Sequence, residues 1–330
     1  MPISDPQITS PALGDWAEAH TAGRQRAVLM ILGGRQRMSM VGPDTADYLH
    51  RLLTWSVKDL QPGESATPFM LTTTGRVELH FGLLRVDEET FWLDLPPGLY
   101  DKAYEMLERF HFSEDLEFGD ITEHVSLVSV QGPDAGKVLA AAGLPVPDGD
   151  LRHVAGEIEG QPLRVAQRSR IGGPGYDLWI SGDMETVIGH VLEAGVVPVG
   201  GEALHSLRVE GGIPQYGAEY TDKSSPLEVS DLWGITDGKG CYPGQEAIEM
   251  TIARGRPPRA LQAVDLSGEA EVGDDLVANG KAIGKLTSVA TLPDGRTVAL
   301  ALVRRRALDA EGVTCRDLPA VLRSPGIDAM

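Results

Sequence analysis

One turn occurs twice in this chain. RMSMVGPDTADYLHRLL (37–53) and SLVSVQGPDAGKVLAAAG (126–143) each run a strand-like alternation into Gly-Pro-Asp and then into apolar residues at helical spacing. Gly42 and Gly132 stand 90 positions apart, too far for a solenoid repeat. In each copy the glycine is expected to end the strand, Pro43 or Pro133 to occupy a first helical turn, and Asp44 or Asp134 to sit at the positive helix end. Such a chain is expected to be α+β, built on a duplicated module.

Around the repeat, strand-like segments (Val77 to Val86, Phe91 to Leu95) interleave with helix-like ones (Leu99 to Phe110, Met184 to Ala194). After Pro257-Pro258 the texture changes to short β-like segments separated by Gly-rich or Asp-Gly turns, which predicts a small all-β domain. The first residues carry Pro2, Pro6 and Pro11 and no apolar period. The expected organisation is therefore a flexible arm over 1–22, α+β modules over 23–122 and 123–256, and a β-barrel over 257–330, with segments open to exchange between the modules.

Charge narrows the partners. With 29 Lys+Arg against 48 Asp+Glu the net charge is −19, which repels phosphate backbones, so no direct nucleic-acid binding is expected. Two cysteines, Cys241 and Cys315, support neither a disulfide framework nor a self-contained zinc site. The eight histidines show no metal-ligand spacing, and no resident metal site is expected. No apolar run approaches the roughly 18 residues that span a bilayer, so the expectation is a cytoplasmic protein without membrane contact.

Phosphate-loop, zincin and nucleophile-elbow motifs are absent, and Gly172-Gly173-Pro174-Gly175 lacks dinucleotide spacing and reads as a turn. Residues 237–246 are denser. Cys241 follows Lys239 by two positions and precedes a helix expected near Pro243, and a cation and a helix N-terminus both favour a thiolate. Against that, a lone cysteine is most often a small buried hydrophobe, the reading its surroundings alone favour, and Glu246 opposes thiolate formation. If HSLRVE (205–210) is helical, Arg208 and Glu210 cannot share a face, so one of them is expected in a cleft or an interdomain contact; the alternative is a surface loop. Cys315 has no supporting motif.

KGCYPGQE (239–246) resembles the signature of the YgfZ-type folate-binding proteins, relatives of the glycine cleavage T-protein (aminomethyltransferase). LRVEGGIPQYGAE (207–219) is similar to the same superfamily's Leu-Arg-x-Glu segment, and GRPPRAL (255–261), GKAIGKLTSV (280–289) and ALALVRR (299–305) to its C-terminal barrel. LTTTGRVELHF (71–81) and the two Gly-Pro-Asp units match its N-terminal half, so the resemblance runs from about residue 25 to 308.

The resemblance implies a three-lobed arrangement around a central channel that accepts tetrahydrofolate. It puts a pterin-binding carboxylate at Asp177, where a bidentate charge-assisted contact is chemically sensible, and further folate contacts at Tyr176, Arg208, Glu210, Gln245, Glu246 and Arg254. Arg256 and Arg259 join Arg254 as candidates for the anionic glutamate tail, and Leu204 stands where T-proteins carry a folate-holding arginine. Where the T-protein handles its aminomethyl group with an aspartate, this chain has Leu79 and His80, with Glu78 beside them.

Loss of that acid and gain of the thiol favour the YgfZ-type reading, and they leave open whether the chain is an enzyme. The resemblance then implies a tetrahydrofolate-binding accessory protein in iron–sulfur cluster assembly or repair. Cys241 would be its redox-active or ligand residue, helped by Lys239, and client or assembly proteins its partners. One thiol cannot hold a cluster that wants about four ligands, so any cluster would be transient or shared. Two alternatives stand beside it: a folate-dependent aminomethyl- or methyltransferase in which Glu78 or His80 replaces the aspartate, and a non-catalytic folate-sensing or client-docking module.

Overall fold

The structure, a computed structural model, describes residues 15–229 and 234–326. Its two mixed lobes are each centred on one copy of the repeated turn. In the first, an antiparallel five-stranded sheet runs in the order Ser65–Ala66, Gly82–Arg85, Thr90–Leu95, Gln36–Val41, Glu117–Asp120. Helices Thr45–Leu52 and Tyr100–Glu108 close its apolar face over Met38, Met40, Leu83, Phe91 and Leu93. In the second, six strands run His153–Ile158, Gln161–Gln167, Gly175–Ile180, Ser126–Gln131, Val28–Ile31, Val197–Pro198. Only the last pair is parallel.

Both faces of the second sheet are covered, as alternation dictates. Val128, Val130 and Leu178 pack under helices Ala135–Ala141 and Met184–Glu193, while Leu127 and Trp179 face the helices Trp16–Gln25 and Gly201–Glu210. Helix Trp16–Gln25 overlaps the segment expected to be an arm. Its buried face is Ala19, His20, Ala22 and Gly23, too weakly apolar to show a period, and Arg24 ties it to the carbonyls of Ile171 and Leu207.

The repeated turn is built as its glycines require and shifted from where its prolines were expected. Gly42 (φ +151°) and Gly132 (φ +118°) occupy backbone that disfavours a side chain, and a Cβ on either would overlap backbone, that of Asp115 or of Arg26. The helices begin at Thr45 and Ala135, so Pro43 and Pro133 lie in the turn ahead of the N-cap residues Asp44 and Asp134. Asp44 accepts no capping bond; it holds the amide of Asp115 at 2.8 Å.

The stretch from Val77 divides at Phe81. Val77–His80 forms a hairpin with Phe69–Leu71, and Gly82–Arg85 enters the sheet. The hairpin's core includes Phe69, Tyr220, Ile235 and Ile248, so helix Gln245–Ala253, which carries the end of the 239–246 motif, docks on the first lobe's hairpin. The chain ends in a closed six-stranded barrel, Arg259–Leu266, Thr297–Arg304, Lys281–Thr291, Asp275–Ala278, Thr314–Cys315, Leu318–Arg323, which fulfils the all-β expectation for the C-terminal segment. Val209 of helix Gly201–Glu210 packs with the barrel's Leu261 and Leu300.

Candidate functional site

A cavity opens where the hairpin, the loop after strand Gln161–Gln167 and the end of helix Gly201–Glu210 meet. The hairpin supplies His80, because two-residue alternation sends Leu79 into the first lobe's core and turns His80 the other way. His80 stacks on Phe69 with ring centroids 4.2 Å apart, and its Nδ1 lies 2.6 Å from the Tyr220 hydroxyl. Burial, with Arg168 and Arg35 nearby, pushes the imidazole well below its ordinary pKa, so it is neutral at physiological pH. Burial also raises Tyr220, which keeps its proton.

Behind this pair runs a buried chain of alternating charge. Arg35 pairs with Asp94, and Arg170 bridges Asp94 (3.0 Å) and Asp177 (2.6 Å). Ser129 donates to Asp177 at 2.7 Å, and Gln131 holds Ser129 and the Arg168 carbonyl. Burial alone would raise Asp94, but Arg35 and Arg170 outweigh it and bring the group down to about 2. On the barrel side, Arg208 donates to Glu219 (2.9 Å), Ser288 (2.9 Å) and the Ile213 carbonyl (2.7 Å), while Thr287 and Ser288 donate to Glu219. The wall is thus pinned to all three lobes.

The residues singled out in the sequence separate into two places. Arg208 lines the cavity, together with Leu204. Asp177 sits behind it, 3% exposed, beside a small void shared with Asp94, Arg168 and Trp179. Tyr176 projects from the opposite face of the same strand and packs with the core under helix Ala135–Ala141, away from the cavity, because neighbouring strand residues alternate. Glu210 turns outward, held by Arg24 at 2.6 Å and by His20 and Arg296 at 3.2 Å each. The His20 ring 3.2 Å away lowers its carboxyl to about 2 against the opposing effect of burial, with Arg24 adding to the drop.

None of the candidates at 239–254 lines the cavity. Lys239 donates to the His50 carbonyl and lies 5.3 Å from the Tyr242 ring centroid; burial brings its ammonium down to about 8, opposed by Cys241. Cys241 is exposed, contrary to the buried reading; it lies outside any helix or strand, four residues ahead of helix Gln245–Ala253. Gln245 donates to Glu249 at 2.6 Å, and Glu246 and Arg254 are exposed. Of the other tail candidates, Arg259 pairs with Glu228 at 2.9 Å. Glu78 does not line the cavity; its carbonyl accepts from Lys102.

Arg35, Asp94, Arg168, Arg170, Tyr216 and Tyr220 were not singled out. A signal existed for two of them: Arg168 and Arg170 stand two apart before a glycine-rich turn in a strongly acidic chain. Among the described residues no group of three or more His, Cys, Asp or Glu is placed to hold a metal ion, and no helix is long and apolar enough to cross a membrane.

Comparison with known proteins gives the following matches. Residues 8–236 match the family model described as the GCVT N-terminal domain. A chloroplastic protein of Arabidopsis thaliana that carries a transferase name is 29% identical over 280 residues, 82% of this chain; the match spans 63% of the Arabidopsis protein, less than two thirds of its length. The aminomethyltransferases of Herpetosiphon aurantiacus and Streptomyces coelicolor are 26% and 27% identical, each over 88% of this chain and 82% of their own. The crystal structure of the glycine cleavage system aminomethyltransferase T from Bartonella henselae superposes with a TM-score of 0.83 at 22% identity, covering 95% of this chain and 90% of that one, which establishes the shared fold.

Proposed function

Since the chain belongs to the family of the GCVT N-terminal domain, we propose that it binds tetrahydrofolate in the cavity at His80 and acts as a folate-dependent one-carbon transferase of the aminomethyl or methyl type. The observation that carries this reading is the cavity's lining, in which a neutral, buried imidazole held by Tyr220 faces arginine side chains. The aminomethyltransferase relatives support the substrate class.

The residues present fit the group. Tetrahydrofolate has a pterin carbonyl and two tail carboxylates, which are acceptors, and the cavity contains a buried Arg168 Nε without a hydrogen-bond partner among the described residues. Arg168 and the hydroxyls of Tyr216 and Tyr220 would hold the ligand, and bound tetrahydrofolate supplies the nucleophilic nitrogen that takes up a one-carbon unit. His80 lines the cavity as a neutral imidazole whose ring Tyr220 fixes, so it can exchange a hydrogen bond with the bound ligand. The chain Arg35–Asp94–Arg170–Asp177 keeps the arginine wall in place.

A second reading rests on a separate observation, the exposed Cys241 beside Lys239 in the YgfZ-like motif. There the protein would be a YgfZ-type accessory factor in iron–sulfur assembly or repair, using folate binding and the thiol at different places. Anaerobic calorimetry with tetrahydrofolate, followed by transfer assays with an aminomethyl donor, separates the two. The transferase reading expects binding by the wild type, transfer retained in Cys241→Ala and transfer lost in His80→Asn. Binding without transfer, with a cluster-dependent client failing in Cys241→Ala, would move the second reading to first place.

A further inference from the structure

Four arginines, Arg35, Arg168, Arg170 and Arg208, line the cavity, and among the described residues no aspartate or glutamate does. Three are neutralised from behind: Arg35 by Asp94, Arg170 by Asp94 and Asp177, Arg208 by Glu219. Arg168 is left over. Among the described residues it makes no ion pair, and its Nε is buried without a hydrogen-bond partner. A charge withdrawn from water without a partner is costly, so an unpaired guanidinium at a cavity wall is a site awaiting an anion.

Its neighbour adds a second donor. Ser169, 6% exposed and also lining the cavity, accepts at Oγ from the amides of Gly172 (3.2 Å) and Gly173 (3.0 Å). With both acceptor positions filled, the hydroxyl has only its proton to offer.

We propose that Arg168 and Ser169 form an oxyanion site inside the cavity and that its occupant is a carboxylate. A guanidinium fork and a hydroxyl donor suit a carboxylate's two oxygens, and charge-assisted bonds of this kind are about twice as strong as neutral ones. The inference deepens the reading above and rests on it for the cavity's other occupant. Where that carboxylate belongs to the one-carbon donor, a donor with a carboxylate is accepted and one that presents only an ammonium group is repelled. The carboxylate has two available sources, the glutamate tail of the folate or a separate small acid.

The test uses the full chain as wild type, Arg168→Lys and Arg168→Gln. Acetate is exchanged for chloride at constant ionic strength and the thermal midpoint followed. Tetrahydropterin, which has no tail, and tetrahydrofolate are titrated by anaerobic calorimetry. If the carboxylate is the tail, Arg168→Gln weakens tetrahydrofolate at least ten-fold and leaves tetrahydropterin unchanged. If it is a separate acid, acetate raises the wild-type midpoint but not that of Arg168→Gln, and tetrahydrofolate stays within two-fold. A site that responds to acetate through Arg168 while neither pterin binds would preserve the oxyanion site and sink the folate reading. The proposal is overturned if neither the acetate response nor tail recognition depends on Arg168. Folding is controlled by the midpoint in chloride, expected in Arg168→Gln at or above wild type because an unpaired charge is removed, with Arg168→Lys keeping the charge but not the fork.

Discussion

Arg170 grips Asp177 through both carboxylate oxygens, Nε to Oδ1 at 2.9 Å and Nη2 to Oδ2 at 2.6 Å, with both residues buried. The residue that the family resemblance assigns to the pterin is therefore also the keystone of a buried charge chain. Asp177→Asn leaves Arg170 with only Asp94 and is expected to cost about 3–5 kcal/mol, the usual cost of breaking a buried pair from one side. Urea unfolding measures it; a loss under 1 kcal/mol would show that Arg170 finds another partner.

The thiols are expected to differ sharply. Cys241 is exposed, whereas Cys315 is 4% exposed in the barrel and burial raises its pKa. A disulfide reagent at neutral pH should modify one thiol in the native protein and a second only after denaturation, and Cys241→Ala should remove the fast one. Two fast thiols would contradict the closed barrel.

Acid should weaken the fold well above the carboxylate range. His153 donates from Nε2 to the Arg85 carbonyl at 2.9 Å and accepts from Arg164 at Nδ1; burial and Arg164 lower it to about 4, and His80 is lowered as well. Between the folded value and 6.5 the unfolded chain binds protons that the folded chain does not. The stability these groups contribute is thus complete above pH 6.5 and falls with pH, on the order of 1.4 kcal/mol per unit for each group, down to about 4 for His153. Urea midpoints at pH 7.5, 6, 5 and 4 test this, and His153→Gln should flatten the slope even if it lowers the value at pH 7.5.

Gly244 caps helix Gln245–Ala253 at φ +86°, and an added Cβ there would overlap the Thr72 carbonyl in the hairpin turn. Gly244→Ala is expected to lower stability by about 1–3 kcal/mol through backbone strain and to loosen the helix from the hairpin. Faster amide exchange confined to 239–254 and 69–80 would locate the damage; an unchanged midpoint would mean that the turn yields freely.

Much of the architecture is written locally. The Gly-Pro-Asp turns, the β-texture after Pro258 and the helix after Pro243 depend on backbone preferences and short-range periodicity, which neighbouring residues carry. Helix Trp16–Gln25 escaped because its buried face is Ala, His and Gly, and its anchors, Ile171 and Leu207, are 147 and 183 positions away. The candidate site divides in the same way. Arg208 could be named from its motif, and the spacing of Arg208 and Glu210 required two different faces, which they occupy.

The sequence by itself determined the α+β class, the duplicated turn, the barrel, and the presence of a thiol and arginines in a −19 chain. Only the tertiary structure decided which charges meet. Arg170 reaches Asp94 across 76 positions, Arg208 reaches Ser288 across 80 and Lys239 reaches His50 across 189. An arginine becomes structural or ligand-seeking according to whether a carboxylate arrives beside it, and that follows from packing of distant segments rather than local preference. This is why Arg170 is satisfied and Arg168, two residues earlier in the same loop, is left facing the cavity.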